Sequence, residues 1–565
     1  MKTKILNKIV ALGTVSIMTT ACVPASSAMA DEIKADSVIE LSDSEILVDG
    51  EKASTDSNSA VYTGADIIYY EDGTDESYGA GSEDEKHSAE EAAANTVVTI
   101  TELGTYEIKG TLSNGQLAID LGEDVEDDPN AVVTLVLDGV DINCSVAPAV
   151  IFYNVYECGS GDTETATSDV DTSAAGANVI IADGTVNNIT GSHVAKIYKD
   201  GTTDKKYKFD GAFYSKMSMN IDGGTLGTGR LNIISDNEGL DSELHLTING
   251  GIIHINSADD GINTNEDGVS VTTINGGYLY IFAGNGAEGD GIDSNGWIVI
   301  NGGTVISLAN PNSMDGGIDS DMGTYINGGT VVGAGGMYDE IENDSEQLFM
   351  FMQFAEDTDD TIVVTDENDN PVFAYDFPYD YTYIVFSTPE LAEGTYHVYM
   401  GGSIEGTEGD GLYTSITSYT DGIQLKHGGE LKGGMNGEPP ARSDNNGGMA
   451  EMPENAPNSD GTQPTPPEKP ENTNNSEGSS DSSKTHPEKP ENEPNTDNSQ
   501  TTPPEKPDGN GEPKEKPEGG FGDPMGMNNS AEEESSDFVL TTEAGSFTNV
   551  TYAESATEST ETTAA

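Results

Sequence analysis

Four short acidic stretches of this sequence have the residue types of a site for a divalent cation. "NEGLDSE" (237–243), "ADDGINTNED" (258–267), "EGDGIDSN" (288–295) and "DGGIDSD" (315–321) each place an acidic residue before a glycine, an aliphatic residue after it, and an Asp or Asn next. Stacked on one another, they would align Glu238, Asp260, Asp290 and Asp315 in one column and Asp241, Asn263, Asp293 and Asp319 in a second, with Asp259 alongside. Neighbouring β-strands lie about 4.8 Å apart, so carboxylates in such columns repel one another at close range. Calcium resolves the conflict, because it takes about six to eight oxygen ligands in irregular geometry from carboxylates and turn carbonyls. Ca2+ is therefore the expected cofactor, with Asp241, Asp259, Asp260, Asn263, Asp290, Asp293, Asp315 and Asp319 as its ligands. The alternative is a set of Asp-Gly turns facing water. Turns alone do not account for doubled columns in a region, residues 231–425, that contains neither lysine nor arginine.

Two further sets of residues could do chemistry. Tyr278, Tyr280 and Phe282 alternate along one strand-like run, and Trp297 and Tyr325 stand in comparable outward positions. Aromatic rings offer sugars a flat apolar face, which makes Tyr278, Tyr280, Trp297 and Tyr325 candidate carbohydrate contacts; ladder packing is the alternative for each ring taken singly. Lys216, in "FYSKM", is the one candidate base. A calcium-dependent lyase needs the metal to acidify the proton α to a uronate carboxylate and a basic side chain to remove it, with Asp210 and the acidic columns holding the metal. Lys216 reads equally as a solvated surface lysine, and outside the lyase reading no residue is assigned a catalytic role.

These residues have to be held by a repeating frame. INGG, or its variant IDGG, recurs with glycine pairs at Gly223, Gly250, Gly276, Gly302 and Gly328, the last four 26 residues apart. Between them run short alternating segments such as "LHLTI" and "YLYI", so each unit reads as strand, turn, strand, turn. Stacking aligns Ile221, Ile248, Ile274, Ile300 and Ile326 as an apolar core column, and Asp222, Asn249, Asn275, Asn301 and Asn327 as a column whose amides can bond to one another. The glycines supply positive φ or room for close approach between coils. The pattern predicts an all-β chain built on a parallel β-helix, a solenoid.

The rest of the chain is read around that solenoid. Residues 1–30, with early lysines, an apolar run over 9–18 and Ala28-Met29-Ala30, are expected to be a secretory signal peptide, lipidation at Cys22 being the rival. Residues 31–95 read as an acidic flexible linker with one or two strands, near residues 39–48 and 65–70, and 96–345 as the solenoid. Residues 346–427, where the 26-residue rhythm stops, read as a small β-sandwich-like cap that covers the strand edges at the solenoid's end. Residues 428–565, rich in Pro, Glu, Asn and Gly, read as a disordered tail, with "DFVLTT" near Phe538 as one possible last strand. Cys144 and Cys158 could pair or stay as separate thiols. A net charge of −78 excludes nucleic acid as a direct partner of the acidic region, since binding it requires basic groups. No stretch after the signal has the length of a membrane span.

Four longer segments, "GTYEIKGTLSNGQLAIDL", "DGAFYSKMSMNIDGGTL" (210–226), "DGINTNEDGVSVTTINGG" and "GDGIDSNGWIVINGGTVI", resemble the clostridial carbohydrate-binding β-helix family, whose founding member binds cellulose and pectic polygalacturonate. The resemblance covers residues 96–425. It implies a right-handed parallel β-helix with bound calcium, similar in shape to polysaccharide lyase family 9, and a binding role without established catalysis. The sequence departs from that pattern at Met217-Ser218 and at Glu238-Gly239-Leu240. The expectation is a monomeric, secreted or cell-surface protein that binds polysaccharide (cellulose, or pectin as polygalacturonate); the alternatives are a pectate lyase and a non-catalytic adhesin or scaffold.

Overall fold

The computed structural model describes residues 33–65, 67–68, 87–198, 205–358, 360–430, 534–542 and 544–552. The expected signal peptide, with Cys22, and most of the expected tail lie outside these residues.

From Met219 onward four successive repeats contribute three strands each rather than two, and the last contributes two. The first set, Met219–Asp222, His245–Ile248, Val271–Ile274, Trp297–Ile300 and Gly323–Ile326, carries the INGG motif. The second set comprises Arg230–Ser235, Ile252–Asn256, Tyr278–Phe282, Thr304–Leu308 and Thr330–Gly335. The third comprises Glu238–Ser242, Ile262–Thr264, Ile292–Ser294 and Ile318–Ser320. This third set is the acidic stretch, which sequence alone reads as a turn because it is short and holds Gly, Asp and Asn.

Every strand pairs in parallel with its counterpart in the next repeat. Ile221, Ile248, Ile274, Ile300 and Ile326 stand in register, and all are fully buried. Leu231, Ile253, Leu279, Val305 and Val331 form a second buried column, and Leu240, Ile262, Ile292 and Ile318 a third. Each such side chain contributes roughly 1.5–3 kcal/mol by leaving water, so one apolar residue per strand per repeat suffices to hold the stack. On the outer face the amides form a continuous chain: Asn275 Nδ2 donates to Asn249 Oδ1 at 2.9 Å, Asn301 to Asn275 at 2.9 Å and Asn327 to Asn301 at 3.0 Å. The second glycine of the motif is required by conformation and by space. Gly303 has φ +86°, and a Cβ there would lie 2.7 Å from the carbonyl oxygen of Gly277.

The stack begins earlier than sequence suggests. Ser37–Leu41, in the segment expected to be a flexible linker, pairs in parallel with Gly104–Leu112, and Val61–Gly64 pairs antiparallel with Thr96–Ile100. The physical reason is burial: Ile39, Leu41, Ile46 and Val61 are 0–6% exposed. At the other end Tyr381–Ser387 pairs antiparallel with the last repeat strand, Thr330–Gly335, and also with Phe349–Thr358. An antiparallel β domain thus grows directly from the terminal strand edge and covers it. Phe538–Leu540 and Gly545–Tyr552, far along the expected tail, complete that domain by pairing with Gly394–Met400 and Phe349–Thr358. Cys144 and Cys158 are separate free thiols. Among the described residues no helix is long and apolar enough to cross a membrane.

Candidate functional site

The acidic strands carry one column in the register expected from sequence. Asp241, Asn263, Asp293 and Asp319 are direct partners across successive repeats. The second column slips at its end. Ile262, Ile292 and Ile318 are aligned, which puts Glu238, Asp260 and Asp290 two positions before the aligned aliphatic residue; in the last repeat that position is Gly316. Asp315 therefore stands one residue out of column, because "DGGID" holds an extra glycine. Its carboxylate instead accepts from the backbone N–H of Gly289 at 2.7 Å.

The two columns meet around Asp260, Asp290 and Asp293, each of which brings a carboxylate oxygen to within 4.8 Å of the others. Backbone amides point into the group: Asp290 N donates to Asp260 Oδ1 at 2.7 Å, and Gly316 N to Asp290 Oδ1 at 2.5 Å. Asn263, 4% exposed, donates through Nδ2 to Glu238 Oε1 at 3.0 Å and to Asp260 Oδ2 at 3.3 Å. Its Oδ1 is buried without a hydrogen-bond partner, an acceptor with nothing to accept from. Asp241, fully buried, accepts from Asn265 Nδ2 at 2.6 Å.

Burial, and after it the neighbouring carboxylates, raise the carboxyls of Asp260 and Asp290 well above the ordinary range. Asp259 is pushed up to about 7, first by burial and then by Glu238. Asp339 is pushed up to about 6, by burial and then by Asp319. Like charges held this close favour either a proton or a cation. The donors are hard oxygens, which suits Ca2+ rather than a metal that prefers nitrogen or sulfur, and the orphaned Asn263 oxygen fits the same ion. Sequence reasoning missed Asp339, which lies after the last repeat, where spacing gives no signal. Asp210, buried and 7% exposed, joins the charges around Asp259.

The aromatic candidates separate into two groups. Tyr278 and Tyr280, with Phe282, point outward as expected, but they lie under the second domain instead of forming an open sugar platform. The Tyr278 hydroxyl donates to Asp410 Oδ2 at 2.9 Å, and Phe282 stacks on Tyr379 with ring centres 4.9 Å apart. All three rings pack against the second domain's core. Trp297 is half-buried on the INGG sheet. Tyr325, half-buried on the same sheet, lines a groove of about 790 Å³ together with Thr247, Thr273, Asn275, Asn301 and Asn327.

Lys216 follows the strand Gly211–Ser215, which pairs with the first acidic strand. Its Nζ donates to Asn154 Oδ1 at 3.4 Å and lies 4.0 Å from Glu126 Oε1, neither of which belongs to the acidic strands.

The chain is similar to a solved structure of a polysaccharide lyase-like protein from C. thermocellum, a gadolinium derivative, at 18% identity over 52% of this chain and 92% of that one, with a TM-score of 0.29. No curated protein matches. Residues 94–350, which hold every repeat and the acidic strands, match the model of the family described as carbohydrate-binding domain-containing protein.

Proposed function

We propose that this is an exported, calcium-binding protein that attaches to plant or cell-wall polysaccharide, with its three parallel strand sets closing as a right-handed parallel β-helix. The family match supports a carbohydrate-binding role. The observation that carries the attachment surface is the groove along the INGG sheet. It extends from Thr134 to Tyr325 across seven parallel strands, about 29 Å at ~4.8 Å per strand, so it suits an extended chain better than a single sugar. Amide and hydroxyl side chains both donate and accept, which matches the hydroxyls of a polysaccharide. Asn275, Asn301 and Asn327 each donate one N–H to the preceding amide, and the second N–H of each is the group a ligand would take. Tyr325 adds an aromatic face.

Asp222, Asp344 and Glu346 also line the groove. They favour a neutral glucan such as cellulose and repel polygalacturonate unless a cation bridges carboxylate to carboxylate. Calcium held by Asp260, Asp290, Asp293 and the Asn263 oxygen, with Asp241, Asp259, Asp315 and Asp319 around them, would neutralise the packed acids and fix the coils that carry the groove. Lys216, held by Asn154 and Glu126, has no part in this reading.

The test is retention of the full chain on cellulose and on polygalacturonate, with calcium and with chelator, while the ultraviolet absorbance of unsaturated uronate is followed. Retention with flat absorbance supports binding without cleavage. Rising absorbance makes the protein a lyase, and no retention on either polymer leaves a scaffold.

A further inference from the structure

Residues 155–176 connect Val150–Asn154, in the sheet of the acidic strands, to Ala177–Ile181, in the INGG sheet. In the later repeats the same step takes only residues 243–244, 265–270, 295–296 or 321–322. The longer connection is pinched at its base, where Gly176 N donates to the Tyr156 carbonyl at 2.9 Å. It adds nothing to the core, since between residues 159 and 174 no apolar side chain is buried.

Instead it lies on the INGG sheet. Thr172 is 5% exposed, and its hydroxyl sits 2.7 Å from both Asn220 Oδ1 and Thr247 Oγ1. Its carbonyl accepts from Asn220 Nδ2 at 2.7 Å. Four residues earlier, Ser168 is a hydrogen-bonding neighbour of Tyr325, which stands three strands beyond Thr247 in the same column. Three strand spacings are about 14 Å, and four residues reach about 14 Å at full stretch, so residues 168–172 run almost straight across the strands. Their burial alternates to match: Ser168 and Val170 are half-buried and Thr172 is buried, while Asp169 and Asp171 are exposed. That is the pattern of an extended chain with one side against a surface. The same residues line the groove of about 790 Å³ beside the amide column.

We infer that residues 168–172 are a strap lying in the polysaccharide groove as a stand-in ligand, and that Asn220 and Thr247 are further glycan-binding positions uncovered when the strap swings out. This rests on the reading of the groove as a neutral-glycan site. The Thr172 hydroxyl and carbonyl offer the sheet one donor and several acceptor positions, as the hydroxyls and ring oxygen of a sugar do. A glycan that takes over these bonds leaves no buried polar group unpaired. The strap's pinched base lets it leave without opening the strand stack. Free chains bind only in the fraction of molecules whose strap is out, so the strap lowers the apparent affinity by that fraction. Once it is out, the bound chain extends from Tyr325 past Thr247 to Asn220.

The experiment uses the full chain and cellohexaose. Backbone amide exchange over residues 160–175 is followed in the wild type with and without saturating cellohexaose, and affinity is measured for the wild type and for Thr172→Val. Cellohexaose is expected to speed exchange over the strap, whereas a loop that merely walls the groove would exchange more slowly or unchanged. Thr172→Val loses the hydroxyl that latches the strap and is expected to bind cellohexaose about three- to tenfold more tightly, a gain that a misfolded variant cannot produce. Slower or unchanged strap exchange in the wild type overturns the inference and leaves the groove standing. Equal or weaker binding by Thr172→Val overturns it too. Failure of both forms to bind cellohexaose and to be retained on cellulose removes the neutral-glycan reading itself.

Discussion

The backbone N–H of Asp290 donates to Asp260 Oδ1 at 2.7 Å, which holds the acidic residues of two adjacent repeats in one small volume. The amide bond offsets part of the charge on Asp260 but leaves Asp290 and Asp293 within 4.8 Å of it. Folding without metal therefore raises these carboxyls, and the direction of that shift fixes a pH dependence. A carboxyl with a higher pKa in the folded chain than in the unfolded one contributes stability that is fully present below the unfolded value, near 4, and is lost as pH rises through the folded value. Asp339 at about 6 and Asp259 at about 7 place this loss between roughly pH 4 and pH 7, and Asp260 and Asp290 extend it upward. His245 works in the opposite sense: burial pushes it down to about 4, so its contribution is present above about 6.5 and falls away in acid. Four carboxyls outweigh one imidazole. In chelator the melting temperature is expected to fall as pH rises from 5 to 7.5, and in millimolar calcium the slope should flatten. Equal slopes in the two series, measured by calorimetry, would remove the metal from the acidic strands.

Replacing Asp290 by asparagine isolates the charge. The amide oxygen can still accept from Gly316 N, so the backbone arrangement is kept while one like charge disappears. Asp290→Asn is expected to melt higher than wild type in chelator and to gain less from calcium. At a calcium concentration 100 times Kd, binding stabilises by about 2.7 kcal/mol, and a tenfold weaker site loses about 1.4 kcal/mol of that. A calcium-induced shift as large as in wild type would mean that Asp290 is not a ligand.

The repeat frame was legible because stacking forces identical environments onto equivalent positions, and so the isoleucine, asparagine and Asp241-type columns could be aligned by counting. Counting fails where one coil has an extra residue: the second glycine in "DGGID" moves Asp315 out of the column that Asp260 and Asp290 share. Counting also gives no partner for an isolated strand: one is legible near Ile39, but not what it pairs with. "SVIEL" at Ser37–Leu41 sits among acidic residues and belongs to the stack only because Gly104–Leu112 is there to pair with it. The outward direction of Tyr278 and Tyr280 follows from alternation alone. What covers them does not, since the hairpin carrying Asp410 lies more than a hundred residues further along the chain.

That distinction separates two tyrosines by what their loss does. Tyr325→Ala removes a ring from the groove wall while leaving Ile326 in the core, and it is expected to weaken retention on cellulose with little change in melting temperature. Tyr278→Ala deletes the hydroxyl that bonds Asp410 and a ring packed against the second domain. It is expected to lower the melting temperature and to leave cellulose retention near wild type. Reversal of the two outcomes would move the neutral-glycan surface from the INGG sheet to the second set of strands, which carries Tyr278.

The C-terminal strands give the last prediction. Phe538, Leu540, Phe547 and Val550 are 0–2% exposed in the second domain's core, although the sequence between residues 430 and 534 has the composition of a spacer. At roughly 1.5–3 kcal/mol for each fully buried side chain, these four contribute on the scale of a whole domain's net stability, about 5–15 kcal/mol. Their removal also strips partners from Phe349–Thr358 and Gly394–Met400, leaving open strand edges of the kind that aggregate. A chain ended at residue 533 is therefore expected to lose the second domain's melting transition and to self-associate. A peptide of residues 534–552 added in trans should restore both, because the strands it would pair with are otherwise intact. A truncated chain that melts and sediments like the full one would show that the domain closes without its final strands.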